Sequence, residues 1–134
     1  MTVYSTGGFA GSAWASFGVN DPKWYSRPEV LRVIGDVARR IKSGVFIMDG
    51  GADFYTYTKG QEIRLGLSAA NIGKSVRSGL TARVTLTDAD TRKVVRSEEW
   101  PLEIQPGTTV SQSASLNTDA WPKGGFTVRA ELLD

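Results

Sequence analysis

The sequence predicts a mainly all-β fold, two antiparallel sheets packed face to face, with an N-terminal extension that carries one α-helix. Three observations lead there. Between Glu62 and Asp134 apolar and polar residues repeatedly trade places one for one, the period that sends successive side chains to opposite faces of a strand. Each such run is closed by Gly, Pro, Asn or Asp. Beyond Gly44 no helical periodicity recurs, so the crossover helices that a parallel sheet requires are missing.

Met1 to Val19 is rich in Gly, Ala and Ser, with Tyr4, Phe9, Trp14 and Phe17 set among them. That spacing specifies neither a firm helix nor a long strand, and predicts a looped segment laying its aromatics on the main body. A helix follows over about 26–43. Ser26 and Glu29 have the spacing of a capping box, Tyr25 and Val30 that of a hydrophobic staple, and Pro28 falls in the first turn. Val30, Ile34, Val37 and Ile41 form an apolar stripe that asks to be buried against protein. Arg39, Arg40 and Lys42 suit the last turn, and Gly44 a left-handed stop. Glu29 and Asp36 interrupt the basic face, which argues against a membrane-surface helix.

Two short apolar runs, 45–48 and 54–58, flank Asp49-Gly50-Gly51-Ala52-Asp53. Strands are then expected around Ile63–Leu67, Leu80–Thr87, Lys93–Ser97, Trp100–Ile104, Thr109–Leu116 and Phe126–Leu133. The organisation read from this is an N-terminal segment over 1–52 and a sandwich of six to seven strands over 53–134.

Asn71-x-Gly73, the strand running into Asp88, the Pro106-Gly107 turn and the closing Trp121-Pro122-x-Gly124-Gly125-Phe126 run resemble bacterial immunoglobulin-like β-sandwich modules. In particular they are similar to those that accompany catalytic barrels in glycoside hydrolases, family 2 among them. The resemblance spans about residues 53–134 and rests on turn-and-strand signatures, which are specific for fold and weak for function. It implies a non-catalytic module that braces a neighbouring domain, acts as a spacer, or holds carbohydrate.

Composition narrows the chemistry. The chain has no His and no Cys, which excludes disulfides, imidazole or thiolate metal sites and the usual nucleophile–base pairs. Residues 1–50 hold six Lys or Arg against four Asp or Glu, and residues 51–134 hold ten of each, too little excess for nucleic acid or an anionic membrane. No apolar run approaches the ~20 residues of a membrane helix, so membrane insertion is not expected. The partners expected are a neighbouring domain of a parent protein and a polysaccharide, in a bacterial secreted or cell-surface setting, and no cofactor is expected.

Four carboxylates bear weighing. Asp49 and Asp53 flank a Gly-Gly, and Asp88 and Asp90 share a turn. Paired acids can hydrolyse a glycoside and hard oxygens can hold calcium, yet neither pair completes a known cation loop. The simpler reading is that each bonds its own turn backbone, so no catalytic or metal site is assigned. For carbohydrate the candidates are Tyr55 and Tyr57, read as sharing one face of a strand, with Trp100 and Trp121, whose planes can stack on sugar rings or fill the core. Arg64, Arg83 and Arg129 fall on the polar faces of three strands and are read as a solvated face, since acids are as numerous there.

Overall fold

The computed structural model describes residues 1–4, 6–119, 121 and 123–134. The elements are β1 (Thr2–Tyr4), β2 (Ser12–Trp14), α1 (Pro28–Ser43), β3 (Val45–Ala52), β4 (Glu62–Asn71), β5 (Arg77–Asp88), β6 (Val94–Ile104), β7 (Thr108–Asn117) and β8 (Phe126–Leu133), with short 3-10 turns at Gly7–Phe9 and Pro22–Ser26. β1 and β2 form a small hairpin. The other strands make two three-stranded antiparallel sheets, in the orders β3-β4-β7 and β6-β5-β8. The chain passes repeatedly between sheets, β4 to β5, β6 to β7 and β7 to β8, as a crossed antiparallel sandwich requires.

The core sits between the central strands. Ile63, Leu65, Leu67 and Ala69 of β4 face Leu80, Ala82, Val84 and Leu86 of β5, and all are buried. Leu102 and Ile104 of β6 and Val45 of β3 complete the cluster. Each large aliphatic taken fully from water stabilises the fold by roughly 1.5–3 kcal/mol before entropy is counted. The strict alternation in β4 and β5 is what places these residues in one layer and Arg64, Ser68, Arg83 and Thr85 outside it.

Several expectations change on contact with the structure. Asp49-Gly50-Gly51 does not separate two runs. It lies inside β3, which pairs with β4 from Val45↔Asn71 to Ala52↔Leu65 through a register shift between Ile47 and Asp49. The sandwich therefore takes in residues upstream of 53. Residues 54–58 are not a strand, because the chain there bends into a short loop. The runs around 93–97 and 100–104 fuse into one strand, β6, whose position at a sheet edge tolerates Pro101.

The helix also starts differently. Asp21 caps the preceding 3-10 turn through the Lys23 amide (3.0 Å), and Ser26 is drawn into that turn, its hydroxyl donating to the Lys23 carbonyl (2.8 Å). Arg27 thus occupies the N-cap position of α1 without a side-chain cap, and the expected capping box does not form. Pro28 sits in the first turn, and Gly44 stops the helix at φ 72°, its amide bonded to the Ile41 carbonyl. Val30, Phe46 and Ala70 are buried apart from the main core. Phe46 and Ala70 are cross-strand partners on the outer face of the β3-β4-β7 sheet, and α1 touches β3 and packs on the 3-10 turn that precedes the helix. Leu31 and Val33 on its far flank stay exposed.

Candidate functional site

A shallow open groove of about 220 Å³ lies along the outer face of the β3-β4-β7 sheet. Gly51 and Gly66 lower its floor and Ser111 and Ser113 line its β7 side, while Asp49 stands beside Ser68 at one end and Asp53 beside Arg64 at the other. A Cβ at Gly66 would meet the Gln112 carbonyl at 2.8 Å, so the hollow exists because β4 has no side chain there. The Ser111 hydroxyl donates to Ser68 (3.0 Å). The surface is polar and built of small residues.

The acids in this groove are drawn into local bonding. Asp49 Oδ1 accepts the Gly50 amide (2.9 Å). Asp53 Oδ1 accepts the Tyr57 hydroxyl and the Arg64 amide (3.1 Å), while the Tyr57 hydroxyl accepts the Phe54 amide (2.7 Å). The Tyr57 hydroxyl is the main reason the Asp53 carboxyl is held below its ordinary range. Tyr57 is itself pushed above the usual phenol range, chiefly by burial and then by Asp53. Asp53 and Tyr57 together latch the 53–57 loop. In the β5–β6 turn Asp88 Oδ1 accepts from the Asp90 amide (3.0 Å), the Thr91 amide (2.7 Å) and the Thr91 hydroxyl (3.0 Å), which lowers its pKa. Asp88 and Asp90 therefore shape the β5–β6 turn. Among the described residues no group of three acids is gathered as a metal would need.

The four aromatic candidates do not form one platform. Tyr55 is fully exposed on the bent loop, beside an exposed Phe54. Tyr57, Trp100 and Trp121 instead pack against the main core, and Trp121 rests on Phe126 with ring centroids 5.5 Å apart. The shared face expected for Tyr55 and Tyr57 is lost because that segment is not extended. Pro122, from the closing turn, lies outside the described residues. The arginines do not align either: Arg64 is on one sheet, while on the other Arg83 bonds Glu99 (2.6 Å) and Arg129 bonds Glu131 (2.8 Å).

Sequence reading missed the open N-terminal aromatics. Phe9 and Trp14 are 66% and 65% exposed instead of lying on the body. Phe17 is half-buried in a cluster with Trp24 and Tyr25, whose hydroxyl donates to the Phe17 and Val19 carbonyls (2.8 and 2.9 Å). A second, wider wedge of about 730 Å³ opens between the C-terminal end of α1 and the ends of β5 and β8, lined by Arg39, Arg40, Arg77, Leu132 and Asp134. There the Arg77 guanidinium donates to the Ser43 carbonyl (2.6 Å).

With this geometry in hand, comparison with known proteins gives a short result. No protein-family model matches the sequence, and no curated protein is similar to it. Among solved structures, a β-glucuronidase from glycoside hydrolase family 2 is similar at TM-score 0.46 and 15% identity, over 68% of this chain and 10% of that one. The alkylpurine DNA glycosylase AlkC of Pseudomonas fluorescens, bound to DNA containing an abasic site analog, is similar at TM-score 0.49 and 10% identity, over 84% of this chain and 40% of that one. The chain thus spans a minor part of either protein, and neither likeness assigns it a substrate.

Proposed function

We propose that this chain is a non-catalytic structural module, a rigid sandwich that fixes the position of a neighbouring domain in a larger bacterial carbohydrate-active or cell-surface protein. The observation that carries the reading is the use made of the carboxylates. Asp49, Asp53 and Asp88 each spend an oxygen on local backbone and hydroxyl donors, the habit of turn residues. The sandwich interior is filled with aliphatic side chains, and its outer groove is shallow. The turn-and-strand signatures resembling glycoside hydrolase accessory modules agree with this role. The test is an assay of released reducing ends on a panel of polysaccharides and aryl glycosides. No turnover is expected, and turnover abolished by Asp49→Asn with Asp53→Asn would overturn the reading.

A second reading, carbohydrate binding, is favoured by one observation: the exposed Tyr55 and Phe54 follow directly on Asp53 at the end of the polar groove. Sugars bind where a flat ring adjoins polar groups. Titration with the same polysaccharides, followed by tyrosine and tryptophan fluorescence, decides it. Binding lost in Tyr55→Ala and kept in Trp14→Ala establishes that reading; no binding by the parent chain removes it.

A further inference from the structure

We infer that the outer edge of β8 is an interface at which two copies of this chain join, edge to edge and antiparallel, about a twofold axis at Ala130. Among the described residues β8 pairs with β5 on one side only. Gly125 gives its carbonyl to the Ala89 amide on the β5 side, so in the extended strand that follows the backbone groups of Phe126, Val128, Ala130 and Leu132 turn the other way, outward. The open flank shows in the burial. Leu86, Val84 and Ala82 of β5 are at most 2% exposed, whereas their β8 partners Val128, Ala130 and Leu132 are half-buried in the same layer. A row of unpaired amides beside half-covered apolar side chains is a template for another strand.

The sequence of the edge selects the occupant. Reflected about Ala130 in antiparallel register, Val128 meets Leu132 of the second copy and Arg129 meets its Glu131, each relation occurring twice. Ala130 would exchange both backbone bonds with its counterpart, and the flanking Arg129–Glu131 pairs would occupy the non-bonded positions, where side chains approach most closely. The strand is therefore complementary in charge to its own reverse. The other edges lack this property: β6 carries Pro101, β3 carries its register shift and Gly50-Gly51, and β7 has no charged residue.

Sedimentation velocity on the full chain at concentrations up to about 1 mM tests the interface. The parent is expected to shift from monomer to dimer with concentration. Arg129→Glu and Glu131→Arg alone each set like charges opposite one another and should weaken the dimer roughly tenfold or more. Mixing those two variants should restore it as a heterodimer, because one copy then brings two acids and the other two bases to the facing positions, and both pairs are again opposite in charge. Circular dichroism establishes that each variant is folded. A parent that stays monomeric overturns the proposal. So does a dimer indifferent to both reversals, which would place the contact on β7 or on the exposed flank of α1.

Discussion

Gly50 of β3 and Ala130 of β8 meet across the two sheets so closely that a Cβ built on Gly50 would stand 2.9 Å from the Cβ of Ala130. Gly50 is the partner of Leu67, so it points inward, and it sits where the sandwich narrows towards its β3–β8 side. Its φ is not positive. The glycine is thus demanded by sheet-to-sheet distance and not by backbone conformation. Gly50→Val should destabilise the protein by ~1–3 kcal/mol through overpacking. Adding Ala130→Gly should return part of that loss, which chemical denaturation of the four chains of a double-mutant cycle measures. Strict additivity would mean that the two residues do not meet.

Phe46 gives a second prediction. It is 2% exposed although it lies outside the inter-sheet core, on the outer face of β3, the strand that α1 touches. Phe46→Ala should cost about 3–5 kcal/mol and loosen the helix, seen as a loss of ellipticity before the main unfolding transition. Leu31→Ser and Val33→Ser, on the exposed flank, should change stability by no more than about 0.5 kcal/mol. An equal effect at all three positions would mean that the helix docks by another face.

How much of this was legible in the sequence depends on what each element needs. β4, β5 and β8 follow from alternation alone, because a core layer imposes the period of two residue by residue. The Gly44 stop is equally legible, since a left-handed residue after a helix is a local requirement. Ser26 departs from its expected capping role because a competing local signal, Asp21 capping an earlier turn, captures it first. Residues 54–58 carry strand-like composition, but the latch from Asp53 to Tyr57 bends them, and a side-chain bond four residues on leaves no periodic trace. β3 runs on past its expected end because Gly50-Gly51, which reads as a loop, is paired strand. Only the proximity of Ala130, far along the chain, shows why a strand carries glycine there.

The third prediction concerns pH. Asp53 and Asp88 have folded pKa values below the ordinary 3.8, so the unfolded chain takes up their protons first. The stability they contribute is complete above that value and is lost as pH falls through the folded values. Tyr57 is displaced the other way, above 10.0, so its contribution is complete below that value and is lost as pH rises through the folded one. Thermal midpoints should therefore fall below about pH 4 and again above about pH 10. Asp88→Asn should flatten the acid limb alone. Asp53→Asn should flatten it too and also soften the alkaline limb, because Asp53 helps to raise Tyr57. An alkaline limb unchanged by Asp53→Asn would mean that the latch is not formed in solution.

The last prediction rests on Asn71, which is 1% exposed at the end of β4. Its amide nitrogen donates to the Ile104 carbonyl (2.9 Å) in the opposite sheet and to the Ser75 carbonyl (2.8 Å) in the following loop, while its side-chain oxygen accepts the Gly73 amide (2.9 Å). Its own carbonyl accepts the Gly107 amide (2.7 Å) from the β6–β7 turn. One side chain thus ties both sheets and a connecting loop together where β4 leaves the core. Asn71→Leu keeps the volume and strands two carbonyls and an amide away from water, so it should cost ~2–4 kcal/mol. Asn71→Asp is the sharper variant, since it sets a carboxylate oxygen against two carbonyls where a donor is required. Its penalty should grow as pH rises, because a buried carboxyl is held in its protonated form and stability is lost once that proton must leave. Denaturant midpoints of the two variants across pH separate the effects: the Leu penalty should be flat with pH and the Asp penalty steep. Equal, pH-independent losses would mean that water reaches this end of the sandwich.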